Sequence, residues 1–272
     1  MDRRRNEVLV LTRVLSAGCT RVGAVQPGGS TMPRWIFLIL IVASSRVQAG
    51  CIEPPTLAHS TVSITRFFDD KDQEAQRGLL GIRGTAWLLS PTTMVTVEHV
   101  TAAMRLSTQD WTQIEVQRAE SKQSILMRVQ HVSGSYAEKI AVLQLRTAFG
   151  DAPGFRVRTE PLIPEERVVS LAYPGGRLRL AEGRFVQYGD SDRLAGMALL
   201  EMYDGNDRLV LDSGASGAPV FDCAGRVAAV VGNLFTTTMQ FMSRQIRIST
   251  AWGDPNVVSV PISVLADSAR AD

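Results

Sequence analysis

From residue 50 onward the apolar residues fall in short runs rather than at helical spacing. Segments 61–67, 84–89, 94–97, 125–131, 140–145, 168–172, 184–188, 199–203, 218–221, 227–231 and 257–261 are rich in β-branched and aromatic residues, with Gly, Pro, Asp and Ser between them. Such runs read as strands, and many of them at near-regular spacing predict an all-β barrel or sandwich. Stretch 147–164 interrupts the pattern with Gly150, Pro153, Gly154, Pro161 and Pro164, and reads as a linker between two β-halves, 50–150 and 151–272. The residues from Ile262 predict a short terminal helix. No internal repeat or low-complexity tract stands out.

The first 49 residues follow another pattern. Residues 35–45 (WIFLILIVASS) carry no charge, Arg34 precedes them, and Val47-Gln48-Ala49 follows. A basic residue, an apolar core and small residues in that order predict a secretory signal peptide over 32–49. The apolar core is shorter than the ~20 residues a bilayer span needs. Met32 would be the natural start, which makes 1–31 an upstream extension or a mis-assigned start. A short membrane anchor and a lipoprotein site at Cys51 are the alternatives; Gln48 stands where a lipoprotein signal usually has an aliphatic residue.

Composition gains meaning from that division. The chain has 272 residues, 45% hydrophobic and 21% charged, with a net charge of +2. These values match an ordinary globular protein and exclude a disordered, collagen-like or multi-span membrane chain. The charge is too small to argue for nucleic acid. Cleavage after Ala49 removes seven arginines, two acidic residues and Cys19, leaving 223 residues at net −3. Cys51 and Cys223 then remain, as one disulfide or as two free thiols. The three cysteines form no C-x-x-C pair, so no metal site is expected, and no organic cofactor is implied. Asp69-Asp70-Lys71-Asp72 lacks the Gly and distant Glu of a calcium loop and reads as charged surface. The alternation in Arg177-Leu178-Arg179-Leu180 reads as a strand with a solvated arginine face.

Chemistry concentrates in two places. In Gly214-Ala215-Ser216-Gly217-Ala218-Pro219, glycines flank a serine ahead of an apolar strand. Gly214 permits a turn in which its N–H and that of Ser216 converge, as an oxyanion hole requires; the bland reading is a Gly-Ser hairpin loop. Upstream, the strand pair 84–89 and 94–97 ends in Glu98-His99. A serine hydroxyl is a weak nucleophile and needs an adjacent base. The chain has only three histidines. His59 lies near the mature N-terminus and His131 ends a predicted strand, which leaves His99 as the candidate base or as a core histidine.

Together, 84–100 and Gly214–Val220 resemble the trypsin-like (chymotrypsin-fold) serine peptidases, in particular their exported bacterial branch. Ile140-Ala141-Val142-Leu143 is similar to the family's strand after the catalytic Asp, and 168–175 to the first strand of its second barrel. The resemblance covers about residues 60–265, in the family's His…Asp…Ser order. It implies two six-stranded antiparallel β-barrels with a short C-terminal helix, and a secreted or periplasmic endopeptidase acting on proteins or peptides. It further implies His99 as base, Ser216 as nucleophile, Gly214 and Ser216 as oxyanion donors, and Val210, Gly232, Asn233 and Leu234 around the first substrate pocket. No acidic residue matches the determinant for basic substrates, so a small or apolar side chain is expected there; Asp212 nearby reads as a turn residue. A Cys51–Cys223 bridge would tie the mature N-terminus to the second barrel.

Two positions depart from the family pattern. Lys139 stands where the triad Asp belongs, and a lysine cannot accept the histidine N–H. Glu138 is one residue away. Within a regular strand it would face the other side, whereas a bulge or turn at the strand entrance could re-aim it. The chain therefore reads either as a peptidase oriented by Glu138 or another carboxylate, or as a non-catalytic homologue that binds peptides. Ala215 replaces the Asp that pairs with a newly cut N-terminus in trypsin-like zymogens, so activation without such a cut is expected.

Overall fold

The structure is a computed structural model. It describes Cys51 and residues 53–119, 121–135, 138–150, 153–192, 194–205, 211, 213–234, 236–241, 244–249 and 255–268. All of these lie in the compact unit Ala49–Asp272. The expectations for 1–31 and 32–49, and those for Val210 and Asp212, fall outside the described residues.

The first barrel is built from β1 (Thr61–Phe67), β2 (Gly81–Ser90), β3 (Thr93–Val97), β4 (Thr112–Arg118), β5 (Ser121–Ser133) and β6 (Ile140–Leu145). It closes in the order β1-β2-β3-β6-β5-β4, and every pairing is antiparallel. The second uses β7 (Arg167–Ala172), β8 (Arg179–Tyr188), β9 (Ala198–Tyr203), β10 (Pro219–Phe221), β11 (Val227–Leu234) and β14 (Val257–Pro261). It closes as β10-β11-β14-β9-β8-β7. Between β11 and β14, β12 (Thr236–Phe241) and β13 (Arg244–Ser249) pair as a separate hairpin. The described residues also form short α-helices: α1 (Pro54–Ala58), α2 (Gln73–Gln76), α3 (Glu98–Ala103) and, toward the C-terminal end, α4 (Ser263–Ser268), with a 3₁₀ turn at Pro174–Gly176. The expected fold is therefore observed: two closed six-stranded antiparallel barrels and a short C-terminal helix.

Closure accounts for the strand patterns. β6 is buried along nearly its whole length, which is why Ile140 to Leu143 read as a continuous apolar run. β4 is the opposite case. Only Ile114 and Val116 point inward, and five polar residues surround them. Two inward residues satisfy one face of a strand, but they are too few to stand out in the sequence. β12 and β13 also lay outside the expected strands.

The described residues of stretch 147–164 join the barrels with no named strand, only an isolated bridge between Val157 and Val227. Phe155 N donates to Leu88 O of β2, while Arg158 N donates to Val227 O of β11. The Phe155 ring packs between Trp87 of the first barrel, at 6.3 Å, and Phe221 of the second, at 4.7 Å. Burying such rings at the junction makes the linker part of the core. Arg158 is buried and pairs with Glu166 and Asp222, fixing the linker's far end to the second barrel. Cys51 and Cys223 form a disulfide across 172 positions, so the residues before α1 are tied to the end of β10. Among the described residues no helix is long and apolar enough to cross a membrane.

Candidate active site

The site lies where the two barrels meet, and the turn carrying Ser216 is fixed from both sides. On its own barrel, Gly217 N donates to Val231 O at 2.8 Å and Gly175 N donates to Ser213 O at 3.2 Å. A trans peptide points its C=O and N–H in opposite directions, so the second bond turns the Gly214 N–H away from Gly175. Among the described residues, neither the Gly214 nor the Ser216 N–H has an acceptor. Gly214 and Gly217 have φ of +97° and +90°, values that side-chain-bearing residues rarely adopt. At Gly217 a Cβ would also overlap Thr85 O and the Thr96 hydroxyl.

Thr85 holds the turn from the first barrel. It is fully buried in β2. Its N–H donates to Ser216 O at 2.9 Å, and its hydroxyl donates to Gly214 O at 2.7 Å. The same hydroxyl accepts from Tyr173 N at 3.0 Å. Thr96 on β3 steadies Thr85 in turn, donating to its carbonyl at 2.8 Å. Sequence reasoning assigned Thr85 no role beyond its strand; the available signal was a polar residue inside an apolar strand.

His99 sits in the first turn of α3, directly after β3. Its Nδ1 lies 2.6 Å from Glu138 Oε2. An ionised carboxylate only accepts, so the contact favours the neutral tautomer with its proton on Nδ1 and its lone pair on Nε2. The other carboxylate oxygen, Oε1, accepts Lys139 N at 3.1 Å. Glu138 lies in a bend two residues before β6 begins. Strand alternation does not apply there, so Glu138 is free to face His99. Lys139 turns away, and its ammonium lies 3.6 Å from Glu98 Oε2. His99 is roughly half exposed, open to a reacting group.

Ser216 Oγ donates to Gly232 O at 3.2 Å rather than to His99. Gly232 also adjoins Glu138 Cγ, so Ser216, Gly232, Glu138 and His99 form one continuous cluster. Asn233 and Leu234 continue β11 beside it; their side chains, like Val210, fall outside the described residues. Ala215 is buried among apolar neighbours, including Ala218 and Val220. His59 is exposed at the end of α1 and His131 lies in β5, both away from this cluster's hydrogen bonds. Asp69 and Asp70 are exposed, and Asp72 pairs with Arg66. Beside the turn, burial pushes the Tyr173 phenol above its ordinary value. Among the described residues, no group of His, Cys, Asp and Glu could hold a metal ion.

Two closed barrels with a serine turn and a histidine–carboxylate pair at their junction are the architecture of a chymotrypsin-like double-barrel protein. The family model of the trypsin-like peptidase domain matches residues 84–230, more than half of the chain, and the protein belongs to that family. Solved structures agree on the fold. The active form of the Rv3671c protease from M. tuberculosis is 19% identical with a TM-score of 0.50, over 90% of this chain and 92% of that one. Deg5 is 15% identical with a TM-score of 0.51, over 78% and 88%. The HtrA-type protease AlgW, solved with a tripeptide, is 15% identical with a TM-score of 0.53, over 80% and 63%. No curated protein matches the sequence.

Proposed function

We propose that the protein is an exported serine endopeptidase in which Ser216 is the nucleophile, His99 the general base and Glu138 the orienting carboxylate. The observation that carries this reading is the 2.6 Å contact between His99 Nδ1 and Glu138 Oε2. A carboxylate there fixes the tautomer that leaves Nε2 basic, and it stabilises the imidazolium formed during attack. Ser216 Oγ attacks the peptide carbonyl carbon and its proton passes to His99 Nε2. The carbonyl oxygen becomes an oxyanion held by the N–H groups of Gly214 and Ser216. The C–N bond then breaks, the leaving amine takes the proton from His99, and an ester to Ser216 remains. Water attacks that ester, giving a proton to His99, which returns it to Ser216 as the acid product leaves.

The substrates are proteins or peptides, with a small or apolar side chain before the scissile bond in a pocket of Val210, Gly232, Asn233 and Leu234. Export to the periplasm or the medium is supported by the pattern over 32–49 and by the Cys51–Cys223 disulfide, since disulfides persist in oxidising compartments. Ala215 offers no charge to a cut N-terminus, so the site works without activation cleavage.

One observation favours a second reading, a non-catalytic peptide-binding module: the Ser216 hydroxyl is donated to Gly232 O instead of His99. A fluorophosphonate probe separates the two. The endopeptidase labels at Ser216, and labelling disappears in Ser216→Ala and collapses in His99→Ala. Glu138→Gln lowers the rate by up to ~10⁴, the cost of removing the carboxylate's charge from a serine triad. An unlabelled, folded wild type would establish the binding module instead.

A further inference from the structure

β11 carries one residue more than its partner at Gly232: Val231 pairs with Ser259, and Asn233 pairs with Val258. A bulged residue leaves the ladder, and its peptide groups are free to turn elsewhere. Gly232 O accepts the Ser216 hydroxyl at 3.2 Å. The Cα of the same residue faces Glu138. A Cβ there would stand 3.2 Å from Glu138 Cγ, 3.7 Å from Glu138 Cβ and 3.3 Å from Val258 O. Val258 O belongs to strand backbone and cannot shift cheaply, so Glu138 would have to yield. Glu138 has little room to do so, because Oε2 is on His99 and Oε1 is on the Lys139 N–H.

We propose that Gly232 is a positioning residue for the reaction, acting through Glu138. Its missing side chain supplies the space through which a glutamate one residue before Lys139 reaches His99. The atom a Cβ would press on, Cγ, is the methylene by which glutamate exceeds aspartate. At the same point the Gly232 carbonyl holds the Ser216 hydroxyl, so one bulge sets two parts of the site. This role is separate from any part Gly232 takes in the pocket wall, and it rests on the reading of Glu138 as orienter.

The test is a double-mutant cycle read by the second-order rate of fluorophosphonate labelling at Ser216. Gly232→Ala labels several-fold to about 10-fold more slowly than wild type, since Glu138 must give way by only part of the ~1 Å misplacement that can cost ~10². Glu138→Ala is slower still. The double variant is no slower than Glu138→Ala, because the added methyl has no glutamate left to displace. If Glu138→Ala is slow but Gly232→Ala labels at the wild-type rate, the proposal is overturned and the orienter reading stands. The same follows if the double variant shows the full product of the two losses. If Glu138→Ala itself labels at the wild-type rate, the orienter reading fails and takes the proposal with it. Should Gly232→Ala not fold, Glu138→Asp carries the test: one methylene shorter, the carboxylate cannot cross the space, and labelling falls toward that of Glu138→Ala. Labelling of Glu138→Asp at the wild-type rate overturns the proposal.

Discussion

Replacing Thr85 by valine tests whether the first barrel holds the nucleophile turn of the second. The two side chains have nearly the same shape, so packing changes little and the hydroxyl is what is lost. That hydroxyl donates to Gly214 O at 2.7 Å and accepts from Tyr173 N at 3.0 Å. Thr85 and Tyr173 are buried, so water does not readily replace the bond to Tyr173 N, whereas Gly214 is only partly buried. A buried polar group left without a partner costs about 1–3 kcal/mol; with the part-buried Gly214 O counted at the lower end, the two together cost about 2–4 kcal/mol. At about 2–4 °C per kcal/mol for a domain of this size, the melting temperature falls by about 5–15 °C. Gly214 O also loses the bond that fixes the Gly214–Ala215 peptide, which links the two proposed oxyanion donors, the N–H groups of Gly214 and Ser216. Losing one such donor costs about 10²–10³ in kcat; displacing it approaches the lower figure. The assay compares thermal unfolding with labelling or peptide hydrolysis well below the melting temperature. Thr85→Ser, which keeps the hydroxyl, serves as the control. A Thr85→Val protein with wild-type melting and wild-type kcat would refute the reasoning. So would a Thr85→Ser variant as damaged as Thr85→Val, because the hydroxyl would then not be the cause.

Reducing the Cys51–Cys223 disulfide, which closes 172 positions, lowers stability by up to about 5 kcal/mol on the chain-entropy account, measured by denaturant titration with and without reductant. An unchanged midpoint argues against the bridge. Tyr173→Phe removes the phenol oxygen that accepts Ala119 N at 3.0 Å and costs about 0.5–1.5 kcal/mol. It also alters the alkaline limb. Burial raises the folded phenol above its ordinary value near 10, so wild-type stability is complete below that pH and is lost as pH rises toward the folded value. The variant's stability falls less steeply over the same window, and parallel curves would contradict this. Glu98→Gln leaves the Lys139 ammonium without its counter-charge beside His99. Labelling then slows at low ionic strength and recovers in 1 M salt, where the Debye length is about 3 Å; a salt-independent change would assign the effect to something other than that charge.

Segments whose residues face a core on both sides were legible in the sequence. The bounds 61–67, 140–145 and 257–261 coincide with β1, β6 and β14. β4 was not legible, because two inward residues among polar ones make a weak pattern, although they complete a closed barrel. Serine and histidine were found as candidates because glycine spacing and histidine scarcity are one-dimensional signals. Thr85 and Gly232 were not recognised for the contacts they make. Their significance lies in long-range pairings, Thr85 with Gly214 and Gly232 with Glu138, and strand patterning carries no trace of these.

If Glu138 orients His99, the lysine at the triad position shows how a motif read by position misleads. What the histidine requires is an acceptor at Nδ1 and negative charge near the ring; neither depends on which residue number supplies it. On the proposed reading the requirement is divided. Glu138 brings the carboxylate, and Lys139 contributes its backbone, with its N–H on Glu138 Oε1 and its carbonyl accepting Glu98 N at 2.8 Å. The Lys139 ammonium alone would oppose an imidazolium. Paired with Glu98 at 3.6 Å and partly exposed, it is offset locally and screened by solvent. The carboxylate at 2.6 Å therefore dominates the field at His99. A glutamate at 138 needs more space to reach His99 than a shorter carboxylate would, and on the proposed reading Gly232 supplies it. Lys139, Glu138 and Gly232 thus form a single departure from the family pattern, and a substitution at any one should be judged together with the other two.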